Sequence, residues 1–156
     1  MEQLKYEDFF NLKRDPFANV PDPYFFYEGP EHKRALVKLW FAAERGRGLA
    51  VLSGAVGAGK TTVARKLLTL LFHDKRFDPG LMILTRSDFT PEWLLKRFLG
   101  LLRVNVNENN RDVLLDNFVQ RLQEVNRNGK RPVFIIDEAN HLLRKDVLEF
   151  FRGLMN

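Results

Sequence analysis

The apolar positions of this chain change period several times, and each change marks an element. From Met1 to Gly29 no clean period exists: Tyr6, Phe9, Phe10, Phe17, Tyr24, Phe25, Phe26 and Tyr27 are scattered beside Pro16, Pro21 and Pro23. Such a segment predicts an extended strap that buries aromatics against a domain without a long helix of its own. Pro30 suits a first helical turn; Leu36, Leu39, Trp40 and Ala43 follow at helical spacing, and Gly46 and Gly48 stop the helix. Leu49 to Ser53 reads as a buried strand, and a helix opening near Gly59 carries Val63, Leu67, Leu68 and Leu71 on its apolar side. Asp78-Pro79-Gly80 predicts a turn, and Leu81 to Thr85 a second strand. Thr90-Pro91-Glu92 combines a hydroxyl cap with proline at the first helical position, ahead of Leu94, Leu95, Phe98, Leu99 and Leu102 on a core-facing side. A polar link from Asn105 to Asn110 leads to a helix with Leu115, Phe118, Val119 and Leu122 inward, which Asn128-Gly129 ends. A third strand, Pro132 to Asp137, and a helix from Lys145 to Leu154 with Val147, Leu148, Phe151 and Leu154 inward complete the pattern.

Alternating strands and amphipathic helices predict an α/β fold with a parallel sheet flanked by helices. Between the first strand and its helix lies Gly54-Ala55-Val56-Gly57-Ala58-Gly59-Lys60-Thr61-Thr62. The spacing Gly54-x-x-x-x-Gly59-Lys60-Thr61 is the P-loop, or Walker A, pattern, in which backbone N–H groups cradle phosphates. Its glycines permit positive φ and let main chain approach an anion with no Cβ in the way. The helix that follows aims its free N–H groups and positive dipole end at the same place. Lys60 is then expected to reach the β- and γ-phosphates of ATP, and Thr61 to give its hydroxyl to Mg²⁺, which keeps several of its waters. Thr62 is placed as a helix residue beside them.

A second constellation lies downstream. Val133-Phe-Ile-Ile-Asp137-Glu138-Ala139 is an apolar strand ending in two acids, at the carboxyl end where open α/β sheets place ligands. Alone this is a weak signal; behind an upstream P-loop it becomes the Walker B element. Asp137 is expected to hold magnesium through its water shell, and Glu138 to orient or deprotonate the attacking water. The second acid favours hydrolysis over transfer to a small-molecule hydroxyl.

Composition narrows the picture. The chain has 156 residues, 45% of them hydrophobic, enough for one globular domain with a sizeable core. Cysteine is absent, so disulfides, thiolate metal sites and a cysteine nucleophile are excluded, in keeping with a cytoplasmic protein. Charges interrupt every apolar run near the start, as a signal peptide would not allow, and no uncharged run has the length of a membrane span. The net charge is +5, and Arg45, Arg47, Lys60, Arg65, Lys66, Lys75, Arg76 and Arg86 dominate the middle third, a face that is either merely solvated or suited to nucleic acid. His32, His73 and His141 are too dispersed to suggest a metal cluster and read as surface or supporting residues; Ser53 and Ser87 lack an evident base. The strap either stacks over a nucleotide base or simply covers core.

With these residues in view, the chain resembles AAA+ ATPases of the general secretion pathway protein A (ExeA-like) type, a group similar to ATPases that assist bacterial transposition. The resemblance is carried by Phe9-Phe10-x-Leu12 with Pro16-Phe17, Pro21-Asp22-Pro23 running to Tyr27, His32 with Ala35-Leu36, the P-loop through Thr62, and Asp137-Glu138-Ala139. It implies one AAA+ domain over residues 1–156, divided into the strap (1–29), a lead-in helix (30–47) and a P-loop core through Walker B (48–156). It further implies ATP bound between subunits of a ring or filament, with Mg-dependent hydrolysis coupled to a secretion or envelope machine. Rival readings are a DNA-binding ATPase of the transposition type and an inactive nucleotide-binding or assembly fragment.

The resemblance also carries an expectation about the carboxyl end. Folds of this kind place a fourth strand between the first and the third, and the chain stops at Asn156 before one appears. Leu49 to Ser53 and Pro132 to Asp137 are therefore expected either to face an empty slot or to pair directly, in a piece of a longer protein. The polar sensor, arginine finger and helical lid would lie beyond it. Because an arginine finger is worth about 10³ to 10⁵ in rate, slow turnover is expected of this chain alone.

Overall fold

The computed structural model describes residues 6–17, 23–85, 88–142 and 144–155. A short helix α1 (Tyr6–Phe9) and a 3-10 turn (Pro23–Phe25) precede helices α2 (Pro30–Glu44) and α3 (Lys60–His73). Strand β1 (Phe77–Ile83), helices α4 (Pro91–Leu101) and α5 (Arg111–Arg127), strand β2 (Arg131–Asp137) and helix α6 (Lys145–Met155) follow. The caps are those the residue types favour. The Thr90 hydroxyl accepts from the Trp93 N–H at 3.3 Å, and the Asn110 side chain accepts from Asp112 N–H at 2.9 Å. Gly129, at φ 70°, closes α5, and the following Lys130 N–H returns to Val125 O at 3.1 Å.

β1 and β2 run parallel, with Phe77 opposite Arg131 and Ile83 opposite Asp137. A parallel pair needs a long crossover, which α4 and α5 provide. Side chains alternate across the pair and divide the core in two. Phe77, Val133 and Ile135 face α2 and α3, where Leu36, Val63, Leu67 and Leu71 are buried. Met82, Phe134 and Ile136 face α4, α5 and α6, where Leu94, Leu95, Leu99, Leu114 and Val147 lose all solvent contact. Burying each such aliphatic side chain contributes about 1.5–3 kcal/mol. At the amino end of β2, the Arg131 guanidinium donates to the carbonyls of Ala43 and Glu44 and so occupies the carboxyl end of α2.

Four expectations change. Asp78-Pro79-Gly80 is not a turn but the middle of β1, which begins at Phe77 and not Leu81. Among the described residues β1 is paired on one side only, a position where proline is tolerated, and a Cβ on Gly80 would lie 3.0 Å from Leu101 Cβ, so glycine admits α4 close to the strand. Second, Leu49 to Ser53 forms no strand, and Leu49 and Val51 are 65% and 78% exposed. The described sheet contains only β1 and β2, so among the described residues this apolar stretch has no ladder partner and does not pair directly with β2. Third, the strap does not bury its aromatics: Phe9, Phe10, Phe17, Tyr24 and Tyr27 are exposed, and Phe26 alone among its described aromatics packs against the α2–α3 core. Phe9 and Phe10 meet edge to face, and Tyr6 and Phe17 lie 6.2 Å apart, so the rings satisfy one another locally instead of the core. Pro21 and Asp22 lie outside the described residues. Fourth, one inward position differs in each of two helices: in α5, Leu114, Phe118 and Val125 are buried and Leu115 and Leu122 pack partly, while Val119 is exposed. In α6, Val147 and Phe150 are buried, Phe151 and Leu154 pack partly, and Leu148 faces out.

Candidate active site

Chain direction brings the two motifs to one end of the molecule. α3 descends from Lys60 to His73 and the chain turns directly into β1, so the start of α3 lies at the carboxyl end of the sheet. β2 runs parallel to β1 and delivers Asp137 to that same end. Val133 and Ile135, packed against the cluster that holds Val63, Leu67 and Leu71, fix the strand to the helix between them.

The loop itself has the backbone its glycines allow. Gly57 and Gly59 sit at φ 79° and 77°, in the left-handed region, and Gly59 forms the amino-terminal cap of α3 without a side-chain hydrogen bond. The first-turn N–H groups of α3 therefore remain available, in a helix whose dipole favours an anion there. Val56, at the tip, is fully solvent-exposed. Lys60 Nζ donates to Gly54 O at 3.1 Å and to Ala55 O at 2.9 Å, so the ammonium is held by the carbonyls of its own loop and not extended to solvent. A loop with two left-handed glycines, free helical N–H groups and a lysine folded inside it fits a polyphosphate. Thr61 and Thr62 are half-buried at the base of the turn.

At the end of β2, Asp137 Oδ1 accepts from the Glu138 N–H at 3.0 Å. Glu138 adopts φ 56°, uncommon for a residue with a Cβ. With its amide placed to satisfy both partners, Asn140 donates to Glu138 Oε2 and to the Glu138 carbonyl, each at 3.1 Å. Among the described residues no hydrogen bond joins Lys60 or Thr61 to Asp137 or Glu138, and no group of three ligating side chains forms a closed metal site. An open arrangement of this kind suits magnesium, which takes one or two protein ligands and otherwise waters and phosphate oxygens.

Two participants were not visible in the chain pattern. His32, in the first turn of α2, places Nε2 3.2 Å from Ala58 O, a contact across 26 residues with no local signal. Asn140 lies in a 3-10 turn (Ala139–Leu142), and only its adjacency to Asp137-Glu138 could have hinted at its contact. His73 is exposed and His141 half-buried, in keeping with their reading as surface residues. In the basic middle third, Arg76 is occupied by Asp74 and Glu44 at 2.7 and 3.2 Å, and Arg86 lies outside the described residues. Asp74 is held below its ordinary value by hydrogen bonds from the Arg76 side chain and backbone.

A parallel β-α-α-β pair, with a glycine loop opening the helix on one face and an acidic pair ending the second strand, defines an α/β ATPase domain, and the chain belongs to the AAA domain family, matched over residues 43–156. It is similar to General secretion pathway protein A of Aeromonas hydrophila, with 33% identity over 156 residues, which cover 97% of this chain and 27% of that protein. The chain thus spans about a quarter of the length of that relative. No solved structure matches it.

Proposed function

We propose that residues Gly54 to Thr62 bind Mg-ATP and that the chain is the ATPase part of an oligomeric machine serving secretion or envelope assembly. The observation that carries this reading is Lys60 Nζ seated on the Gly54 and Ala55 carbonyls inside a loop opened by two left-handed glycines, at the sheet end that receives Asp137 and Glu138. The relative's printed name, General secretion pathway protein A, supports the coupling, and no described helix is long and apolar enough to cross a membrane.

In this reading Lys60 leaves its two carbonyls for the β- and γ-phosphate oxygens, exchanging neutral acceptors for charged ones, which form the stronger bonds. The backbone N–H groups from Ala55 to Thr62 hold the remaining phosphate oxygens. Thr61 Oγ1 and, through water, Asp137 would hold magnesium, which would supply charge neutralisation to the phosphates. Glu138 accepts a proton from a water whose oxygen bonds to the γ-phosphorus while the bond to the β,γ-bridging oxygen breaks, releasing ADP and phosphate. Asn140 holds the Glu138 carboxylate for that role. Neighbouring copies meet at the nucleotide, and residues 1–29, 30–47 and 48–156 act as strap, lead-in helix and core.

The test is nucleotide binding and turnover by the purified chain with Mg²⁺. Lys60→Ala is expected to abolish ATP binding, and Glu138→Gln to keep binding while losing hydrolysis. Undiminished turnover in Glu138→Gln would remove that residue from its assigned role, and unchanged binding in Lys60→Ala would displace the whole site.

A further inference from the structure

His32 stands outside both motifs yet touches the loop that carries the first. Its Nε2 lies 3.2 Å from Ala58 O, and since a carbonyl can only accept, the ring proton sits on Nε2. A Cβ built on Gly59 would come within 2.9 Å of that same nitrogen, and one built on Gly29 within 3.6 Å of Nδ1. The flat imidazole therefore fills the space between two glycines, one ending the strap and the other capping α3. On its edge stands Phe26, with ring centroids 5.9 Å apart and planes at 74°, and Phe26 is the strap aromatic that enters the α2–α3 core.

We propose that His32 is a positioning residue for the phosphate loop, its Nε2–H fixing the Ala58 carbonyl so that the Gly57–Gly59 turn holds the shape a nucleoside triphosphate requires. Three observations converge on it: the hydrogen bond to Ala58, the close fit over Gly59, and the Phe26 edge that fixes the ring from behind. Lys60 holds the Gly54 and Ala55 carbonyls at the start of the loop, and the loop's far side has little other support. Val56 is wholly exposed, and the preceding Leu49 to Ser53 has no sheet to anchor it. Ala58 N–H reaches only Ala55 O, at 3.3 Å, within the same loop, so His32 supplies the side-chain tether that links the turn to a different element. A preorganised loop binds more tightly because its ordering is complete before the ligand arrives. The strap thereby gains a role that is neither base stacking nor core cover: through Phe26 it sets the ring that sets the loop. The affinity part of this inference rests on the nucleotide reading above, whereas the bracing of the loop does not.

The experiment therefore has two arms. In nucleotide-free protein, backbone ¹⁵N order parameters of Gly57 and Gly59 are expected to fall in His32→Ala from the rigid range to about 0.6 or lower, and to return in His32→Gln, whose amide can donate to the same carbonyl. Binding of a fluorescent ATP analogue is expected to weaken about three- to tenfold in His32→Ala, the value of one hydrogen bond, and to recover in His32→Gln. Phe26→Leu, which keeps apolar volume but removes the ring edge, is expected to fall between the two. Thermal unfolding of each variant separates loop effects from loss of the domain. Order parameters unchanged in His32→Ala would overturn the bracing role, and wild-type affinity in that variant would overturn its link to nucleotide. Loosened glycines in a chain that binds no ATP even as wild type would uphold the brace and refute the nucleotide reading instead.

Discussion

The two faces of the β1–β2 pair are built differently. On one, α4, α5 and α6 close over Met82, Phe134 and Ile136, and Leu94, Leu95, Leu99, Leu114 and Val147 are wholly buried. On the other, α2 and α3 bury a smaller cluster, and the chain leading into the phosphate loop leaves Leu49, Val51 and Val56 in solvent. The half that carries the chemistry is thus the half with less holding it in place. Binding loops are drawn from the low-stability end of a structure, and here that end includes Leu49 and Val51, exposed just ahead of the loop.

The contrast can be broken most severely on the tight face. Leu99→Ala removes a fully buried α4 side chain from the core of that face and is expected to cost about 2–5 kcal/mol, read as a lower denaturant midpoint. Gly80→Ala comes next: its Cβ meets Leu101 at 3.0 Å from Cβ and 3.1 Å from Cδ1, so α4 must shift, at about 1–3 kcal/mol. A value near zero would mean that α4 is held more loosely than its packing implies.

Acid probes the same face more gently. The Glu92 carboxyl is held below its ordinary 4.5 by the Thr90 hydroxyl and its own backbone N–H, and Glu108 is held low by the N–H groups of Asn110 and Asn109. Each binds a proton less readily folded than unfolded. Their stabilisation is therefore fully present above about pH 4.5 and is lost as pH falls through the lowered folded values. Glu92→Gln is expected to flatten the decline of thermal midpoint between about pH 5 and 3. The smallest effect belongs to the loose face: Val51→Ser, at a side chain 78% exposed, should change stability by less than about 0.5 kcal/mol. A loss of 2 kcal/mol there would show that Leu49 to Ser53 is buried in solution by a partner.

What could be read from the chain divides along the same line. The Thr90-Pro91 start, the Asn128-Gly129 stop and the apolar run ending in Asp137 were legible because each depends on neighbours within a few residues. The backbone of the Gly54 to Lys60 loop is legible because the glycines at positions 57 and 59 are the residues that a left-handed φ favours. Asp78-Pro79-Gly80 was misread because turn chemistry is local, whereas its strand pairing with Asp78 opposite Pro132 and Gly80 opposite Phe134 is not. Leu49 to Ser53 has strand composition, but a strand exists only through its neighbour, and composition cannot supply one. The strap aromatics suggested burial by their number, yet hydrophobicity does not say which rings find the core and which pair with each other. His32 is read as a surface or supporting residue and carries part of the family resemblance, but nothing at position 32 points to position 58.

Helix α2 has one further consequence. Its fifteen residues make a rod about 22 Å long. Arg131 pins one end to the start of β2 by holding the Ala43 and Glu44 carbonyls, and His32 rests the other end on the phosphate loop. A rod pinned at one end and bearing on a loop at the other is a lever. Helix α2 thereby ties the amino end of β2 to Ala58 across the width of the domain, by a path separate from the chain that carries Asp137 and Glu138.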